Sequence, residues 1–379
     1  MIDNDDIDAL ISELNASGAQ ARGGDGVVQV ESLLTEVMSR RGSDLFLIAG
    51  CAPGIRIDGL IVRLPGPILD GTDIEEAVVP QLPPHARRQF QESGAADASI
   101  RFSGLGRFRV NLHRERGRAA AAIRVLPPRV PRFSELALPP EVEALSSLGR
   151  GLVLIGGATG SGKTTTMAAL VDEINRRDAR HIITVEDPIE YEHLHDRCMI
   201  EQVEIGADAP DFPTALRSAV RQAPDVLVIG EMRDPESMRI ALSAAETGHL
   251  VFSSLHTTDI ASTIARICDS FPNERQNTIR QELSLAVTAV MTQTLVPKIG
   301  GSRIPAVELL MVSYGARQHI RKNALQHLHQ EMSLTRRQGS ITLEESLARL
   351  VKGGLITPAD ATGRAGHPDA LESLLKASS

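Results

Sequence analysis

Hydrophobic and polar positions follow two different patterns along the chain. In the first part, Phe108, Val110 and Leu112 alternate with polar residues, as expected for a half-buried strand. The dipeptide Asp58-Gly59 separates two short apolar runs, which is a strong signal for a tight hairpin. Together with short helical patterns, these strands predict a small α+β domain over residues 28–128.

From about residue 151 the chain carries short, uninterrupted apolar runs instead. Such runs are typical of strands that are buried on both faces of a parallel sheet and alternate with crossover helices. After Asn273 the pattern becomes helical, with Ile279, Leu283, Ala286 and Val290 on one face. We therefore predict an α/β domain over residues 151–379, with a parallel-containing sheet and a helical C-terminal part. The apolar runs are residues 152–155, 182–185, 226–229 and 250–252.

Two helix starts are marked near the C-terminus. Thr342 and Glu345 have the spacing of a capping box, and Gly353 follows at a distance that suits the end of that helix. Thr357 followed by Pro358 predicts the start of another helix, because proline is favoured at the first helical position.

Two further segments have the composition of connections. Residues 1–27 are rich in glycine and small polar residues and predict a disordered leader. Residues 129–150 contain Pro131, Pro139 and Pro140 and predict a linker between the two domains.

Composition argues against several classes of protein. The net charge is −8 and aromatic residues make up 3%, so the chain has little to attract or stack nucleic acid. Cys51, Cys198 and Cys268 are isolated, which argues against a disulfide framework and a zinc site. The N-terminus lacks the features of a signal peptide, and every apolar run is too short to span a bilayer. These observations predict a cytoplasmic protein without direct nucleic-acid binding.

A glycine-rich motif follows the apolar run 152–155. It fits G-x-x-x-x-G-K-[ST] at every fixed position, and a helical pattern begins at Thr165. Backbone N–H groups of such a loop bind phosphate oxygens at a helix N-terminus. The lysine would reach the β- and γ-phosphates of ATP, and the Thr164 hydroxyl would hold Mg²⁺. The motif is Gly157, Ala158, Thr159, Gly160, Ser161, Gly162, Lys163 and Thr164, and we expect these residues and Thr165 to bind the nucleotide. The fold class that follows is a RecA-like P-loop core.

Acidic residues follow two other strands of the predicted sheet. Glu186 comes after the run 182–185, and Glu231 comes shortly after the run 226–229. Ligands of open α/β sheets lie beyond the carboxyl ends of the strands, so both carboxylates should approach the phosphates. We expect Glu231 to position the attacking water and Glu186 to bind the metal ion or water.

Histidines and arginines add candidates whose roles the residues alone leave open. His249 precedes the run 250–252 and His256 follows it, so either could contact the γ-phosphate or be structural. Six arginines crowd the hairpin around Gly117, as a solvated basic ribbon or as arginine fingers that reach a neighbouring subunit's γ-phosphate. The six are Arg107, Arg109, Arg114, Arg116, Arg118 and Arg124.

From residue 28 to the C-terminus, the sequence resembles the type IV pilus retraction ATPases, the twitching-motility branch of the secretion ATPases. The Walker A loop is matched at residues 157–165. The Walker B segment has Gly230 where many other NTPases have Asp. The other matching segments are residues 42–45 and 57–59 of a PAS-like N-terminal domain, the acidic box 183–190, the Walker B segment 230–234, and the histidine box at 245–249 and 255–257.

The resemblance implies a specific machine. In that family, arginines of the N-terminal domain complete the ATP site of the adjacent subunit, and Arg109 and Arg124 occupy the matching positions. It further implies a homo-hexamer with only peripheral membrane association, at the inner face of the cytoplasmic membrane beneath an inner-membrane platform protein. Residues 276–294 and 320–332 match the family only loosely. Assembly ATPases of the wider family usually have a longer N-terminal region and a tetracysteine zinc site, so their absence here favours the retraction branch.

The leading hypothesis is thus an ATP-hydrolysing motor that retracts a pilus. The alternatives are a nucleotide-binding accessory subunit with little hydrolysis of its own, an assembly or secretion ATPase of the same family, and a nucleic-acid translocase. The acidic composition and the lack of aromatic residues argue against the last.

Overall fold

A computed structural model describes residues 29–377, and the expected leader, residues 1–27, lies outside them. The chain divides into two compact units, the first ending at Pro128 and the second beginning at Arg129. Each unit has its own hydrophobic core. No helix within the described residues is both long and apolar enough to cross a membrane.

Over residues 29–128, the first unit contains a six-stranded antiparallel sheet and three α-helices. Its strand order is β3-β2-β1-β6-β5-β4. Asp58 and Gly59 both have positive φ, at 48° and 84°, as a tight two-residue hairpin requires. The helices are α1 (Val30–Ser39), α2 (Gly71–Val78) and α3 (Pro84–Ser93), and the strands are β1 (Asp44–Ile48), β2 (Gly54–Ile57), β3 (Leu60–Arg63), β4 (Ala95–Phe102), β5 (Gly106–Glu115) and β6 (Arg118–Val125).

The structure therefore confirms the predicted α+β class of this unit, whereas its similarity to PAS domains stays a prediction. Strand β4 was not predicted. Its buried positions Ala96 and Ala98 are small, and only Ile100 among its buried residues is strongly hydrophobic, so the alternation is hard to see in the sequence.

The second unit is built on a seven-stranded mixed sheet of order β13-β12-β7-β11-β10-β8-β9. All of its neighbours pair in parallel except β12 and β13. The α/β class with a parallel-containing sheet and C-terminal helices is confirmed. The strands are β7 (Gly151–Gly156), β8 (His181–Glu186), β9 (Met199–Glu204), β10 (Val226–Ile229), β11 (Leu250–Leu255), β12 (Val287–Pro297) and β13 (Arg303–Met311).

Helices cover the sheet and form the C-terminal part. Thr342 caps one of them through the predicted capping box with Glu345, and Thr357 caps another ahead of Pro358. The helices are α4 (Pro140–Glu143), α5 (Lys163–Arg177), α6 (Phe212–Ala219), α7 (Pro235–Glu246), α8 (Ile260–Asp269), α9 (Asn273–Ala286), α10 (Tyr314–Arg321), α11 (Leu328–Leu334), α12 (Leu343–Lys352), α13 (Pro358–Thr362) and α14 (Pro368–Lys376).

One helical prediction is wrong at its end. Helix α9 stops at Ala286, and Val290 lies in strand β12. This strand lies between β7 and β13, and almost all of its first seven residues are buried. A strand buried on both faces therefore has apolar residues at helical spacing as well, and periodicity alone cannot distinguish the two.

The linker prediction for residues 129–150 is also wrong. Phe133, Val142 and Leu145 are buried in the core of the second unit, among residues of β7 and α5. The prolines do not mark a free connection, because Pro140 opens the short helix α4 and Pro139 is its N-cap.

Candidate active site

The glycine-rich loop connects the carboxyl end of β7 to helix α5. Strand β7 is buried along its whole length between β12 and β11. Gly157 and Gly162 have φ of +152° and +91°, and a Cβ at Gly157 would lie 2.6 Å from the carbonyl oxygen of Gln293. The loop therefore lies tightly against β12, and glycine is required where the backbones come this close.

Lys163 is buried at the first turn of α5. Its Nζ donates hydrogen bonds to the carbonyl oxygens of Gly157 (2.7 Å) and Ala158 (3.1 Å). Burial lowers the pKa of Lys163, and the negative charges of Glu231 and Glu190 oppose that change. The loop thus carries a partly desolvated ammonium group on its inner side, which suits a phosphate oxygen.

Ser161 carries a second polar group suited to a phosphate. Its Oγ is buried and has no hydrogen-bond partner among the described residues. Buried polar groups are usually satisfied, so an unpaired hydroxyl at a helix N-terminus fits a site for an anion. Together with the ammonium of Lys163, it shows that the residues present fit a triphosphate.

A chain of polar side chains links this loop to the strand after β10. Nδ1 of His256 lies 3.3 Å from Oγ1 of Thr159, and Nε2 of the same ring lies 3.2 Å from Oε1 of Glu231. A carboxylate can only accept, so Nε2 donates in this bond, and the ring bridges Glu231 and Thr159. His256 and Glu231 are therefore brought together beside the phosphate loop.

The charge of Glu231 is set by its neighbours. Burial opposes ionisation, but the hydrogen bond and charge of Arg233 and the proximity of His256 outweigh it, so the pKa of Glu231 is lowered. Nε of Arg233 donates to Oε2 of Glu231 over 3.0 Å. Glu231 is therefore a carboxylate at neutral pH, with Oε1 toward His256 and Oε2 toward Arg233.

Glu186, at the end of β8, has a different environment. Its Oε1 accepts from Oγ1 of Thr184 (2.7 Å) and Nε2 of Gln202 (3.3 Å). Burial raises the pKa of Glu186, and these two hydrogen bonds only partly oppose the rise. Its backbone lies close to Gly230, where a Cβ would be 3.4 Å from the Cα of Glu186. The structure thus places Glu186 beside the segment that carries Glu231.

Thr164 and Thr165 occupy the first turn of α5 after the lysine. Both are half-buried, and Oγ1 of Thr165 lies 2.9 Å from the hydroxyl of Tyr191. No described cluster of three or more His, Cys, Asp or Glu side chains could hold a metal ion alone. The assignment of Thr164 and Glu186 to Mg²⁺ stays a prediction.

The structure places His249 away from this site. It immediately precedes β11, and its carbonyl oxygen accepts from the N–H of Gly151, the first residue of β7. Because β7 and β11 are parallel, His249 lies at the amino ends of these strands, whereas the phosphate loop follows their carboxyl ends. The six residues of β7 extend about 20 Å. The prediction that His249 binds the nucleotide of its own chain is therefore wrong.

The two candidate arginines of the first unit are direct cross-strand neighbours. Arg109 of β5 is paired in register with Arg124 of β6, which is in turn paired with Asp44 of β1. Nε of Arg124 donates to Asp44 over 2.8 Å, and Arg109 lies 3.4 Å from Asp97. The Arg124 side chain remains 66% exposed. Directly opposite residues point to the same face, so both guanidinium groups lie on one exposed side of the sheet.

Three residues around the loop were missed by the sequence analysis. Tyr191 contacts Thr165, Gln202 contacts Glu186, and Gln293 of β12 hydrogen-bonds both the loop and α5. They lie 16 to 132 positions along the chain from the residues they touch. No local motif identifies such residues. A polar glutamine within the apolar run of β12 was the one available signal.

A buried parallel strand, a glycine-rich loop and a helix that begins with a buried lysine define a P-loop nucleotide-binding protein. The model of the Type II/IV secretion system protein family matches residues 107–352, and the chain belongs to this family. The resemblance drawn from its motifs is confirmed.

Individual relatives match almost the whole chain. The Type IV pilus retractation ATPase PilT of Pseudomonas aeruginosa is 39% identical over 342 residues, 90% of this chain and 99% of the relative. The Type IV pilus ATPase PilU of the same organism is 35% identical over 350 residues, 92% of this chain and 92% of the relative. A crystal structure of the pilus retraction motor PilT with bound ADP matches with a TM-score of 0.83 at 40% identity, covering 91% of this chain and 99% of that one.

Proposed function

We propose that this protein is an ATP-hydrolysing motor that powers retraction of a type IV pilus. The observation that carries this proposal is the similarity to PilT, which extends over 90% of this chain and 99% of that relative. The assembled side chains around the loop support it, because they combine a phosphate-binding surface with a carboxylate suited to activating water.

The loop would bind the β- and γ-phosphates of ATP. The ammonium of Lys163 would exchange its bonds to loop carbonyls for phosphate oxygens, and the unpaired hydroxyl of Ser161 would donate to another. The N-terminus of α5 adds N–H groups of residues 163–165. When bound, Mg²⁺ would neutralise charge on the phosphates, and Thr164 and Glu186 are the residues that would hold it and its water shell.

Glu231 would orient the water that attacks the γ-phosphorus. Its lowered pKa keeps it a carboxylate, which can accept a proton or a hydrogen bond from that water. His256, between Glu231 and Thr159, would respond to the occupancy of the loop and hold Glu231 in place.

Arg109 and Arg124 would complete the site from a neighbouring subunit. They present two guanidinium groups on the same exposed face of the sheet, where Arg109 is paired with Asp97 and Arg124 with Asp44. Arginine fingers of this kind stabilise charge that develops on the transferred phosphoryl group. The proposal therefore includes a homo-hexameric ring. We place this ring in the cytoplasm, at the inner face of the cytoplasmic membrane, where it would act on a platform protein of the pilus machine.

Phosphate release by the purified chain, together with a Lys163→Ala variant, tests the proposed enzyme. We expect ATP-dependent turnover that is lost in Lys163→Ala and retained in Lys322→Ala, an exposed lysine on the same unit. In cells, deletion of the protein should abolish pilus retraction, and Lys163→Ala should not restore it. Turnover in Lys163→Ala equal to that of the unchanged protein would refute the assigned site. Normal retraction in the deletion strain would favour an accessory subunit.

A further inference from the structure

Gln293 is a buried glutamine on the inner strand β12, and its side-chain amide uses both ends. Its Nε2 donates to the carbonyl oxygen of Ser161 in the phosphate loop over 2.8 Å. Its Oε1 accepts from Oγ1 of Thr166 in the first turn of α5, also over 2.8 Å. Gln293 is only 5% exposed, so neither bond competes with solvent.

The backbone around Gln293 is fitted to the loop as closely as its side chain. A Cβ at Gly157 would lie 2.6 Å from the carbonyl oxygen of Gln293, and a Cβ at Gly162 would lie 2.8 Å from its Nε2. Both glycines also have positive φ. The two glycines with positive φ, Gly157 and Gly162, thus both lie against Gln293 of the neighbouring strand β12.

We propose that Gln293 is a positioning residue for the ATP site, which holds the loop at Ser161 and the helix at Thr166 in the arrangement that binds phosphates. The inference rests on the proposed nucleotide site. The hydrogen bond from Nε2 of Gln293 to the carbonyl oxygen of Ser161 keeps the Ser161 peptide oriented. The bond from Oγ1 of Thr166 to Oε1 of Gln293 fixes the first turn of α5 relative to the loop. Gln293 touches no phosphate itself.

The amide is matched to this task. One end must donate to a carbonyl oxygen and the other must accept from a hydroxyl group. An asparagine is too short to reach both partners, and an ionised carboxylate has no hydrogen to donate. A carboxylate at this position would place an acceptor against the Ser161 carbonyl oxygen. A protonated carboxyl group would donate there and restore both bonds.

The experiment measures binding of fluorescently labelled ADP to the full-length protein, and KM and kcat for ATP. We expect Gln293→Leu to weaken ADP binding roughly tenfold or more, since it leaves a buried carbonyl and hydroxyl unpaired. The KM for ATP should rise by a similar factor, and kcat should change less. Thr294→Val is the matched control on the same strand, because Thr294 contacts Arg364 and not the loop.

Two further variants keep the test decisive if Gln293→Leu does not fold. Thr166→Val removes only the bond to Oε1, should weaken ADP binding by a smaller factor, and should add little to the Gln293→Leu defect. Gln293→Glu should bind ADP poorly at pH 8, and its deficit against the unchanged protein should shrink at pH 6 as the buried carboxyl group is protonated. A residue that merely stabilised the fold would not show this recovery.

Two results would overturn the proposal. In the first, the Gln293 variants have lower melting temperatures but bind ADP within twofold of the unchanged protein. In the second, the deficit of Gln293→Glu is the same at pH 6 and pH 8. If the unchanged protein itself binds no ADP, the proposed function fails and this inference fails with it. If the unchanged protein binds ADP and either of the two results above is found, only the inference about Gln293 fails.

Discussion

At the scale of single residues, the site depends on a relay of three side chains. Thr159 lies on the phosphate loop, Glu231 follows β10, and His256 follows β11 and contacts both. The two carboxylates near the loop also differ in charge behaviour. The pKa of Glu231 is lowered by Arg233 and His256, while burial raises that of Glu186. Only Glu231 therefore has an environment that favours the carboxylate form needed to activate water.

Glu231→Gln separates ATP binding from hydrolysis. The amide keeps the shape of the side chain but accepts a proton poorly, so turnover should fall by a factor of about 100 or more. ATP affinity, measured by titration with a labelled analogue, should stay within a few-fold. Glu236→Gln is the control, since Glu236 is exposed and pairs with Arg217 on the surface. Turnover that survives in Glu231→Gln would remove the residue from the mechanism.

At the scale of elements, β13 carries a half-buried acidic group, Glu308, that joins three parts of the second unit. Glu308 accepts from the N–H of Ile260 at the start of α8 (3.3 Å) and from Oγ1 of Thr292 on β12 (3.2 Å). Burial raises its pKa from 4.5 to about 7, opposed by these two bonds and reinforced by the negative charges of Asp259 and Glu344. Helix α8 directly follows the loop that bears His256, so this carboxyl group supports the histidine box.

The raised pKa makes stability depend on pH. Between about pH 4.5 and pH 7 the folded protein holds the Glu308 proton more tightly than the unfolded chain does, so this contribution is complete at low pH and lost as the pH rises. It amounts to about 3 kcal/mol at most. We expect Glu308→Gln to remove this part of the pH dependence of the free energy of unfolding, measured with urea at pH 5 and pH 8.

Glu274→Gln, an exposed position on α9, is the control for that measurement and should leave the pH dependence unchanged. Identical profiles for the unchanged protein and Glu308→Gln would show that Glu308 ionises normally in the folded state.

At the scale of the whole molecule, the residues assigned to the proposed site are divided between the two units. The phosphate loop, Glu231 and His256 belong to the second unit, and Arg109 and Arg124 belong to the first. If the arginines act on a neighbouring subunit, one chain by itself should be a poor ATPase. Its specific activity should then rise with protein concentration as rings assemble.

Mixing two inactive variants tests this arrangement. Lys163→Ala lacks a working loop but has intact arginines, and Arg124→Ala has the reverse defect. A mixed ring should contain interfaces at which an intact loop meets intact arginines, so phosphate release should recover to a measurable fraction of the unchanged level.

Arg116→Ala is the matched control, because Arg116 is on the same hairpin, with its side chain 82% exposed, and pairs with Glu115. It should be active alone. Absence of any recovery, with mixed rings demonstrated by co-purification, would mean that the arginines act within their own chain or not at all.

Local patterns in the sequence were sufficient for much of this protein. The loop 157–164 was recognisable because phosphate binding needs glycines and a lysine at fixed spacing within one segment. The hairpin at Asp58 and the helix start at Thr342 depend on equally short-range chemistry. Strands β7, β8, β10 and β11 were evident because short apolar runs between polar segments are typical of strands buried in a parallel sheet, whereas β12 was not recognised as a strand.

Tertiary structure alone decided the rest, because it depended on which distant residues meet. The parallel pairing of β7 with β11 places His249 at the end of β11 far from the phosphate loop and His256 at the near end. Val290, which was expected on a helix, lies in strand β12, and the same strand places the side chain of Gln293 against the phosphate loop. The sequence by itself determined what chemistry the chain can perform, and the packing of the sheet determined which side chains take part in it.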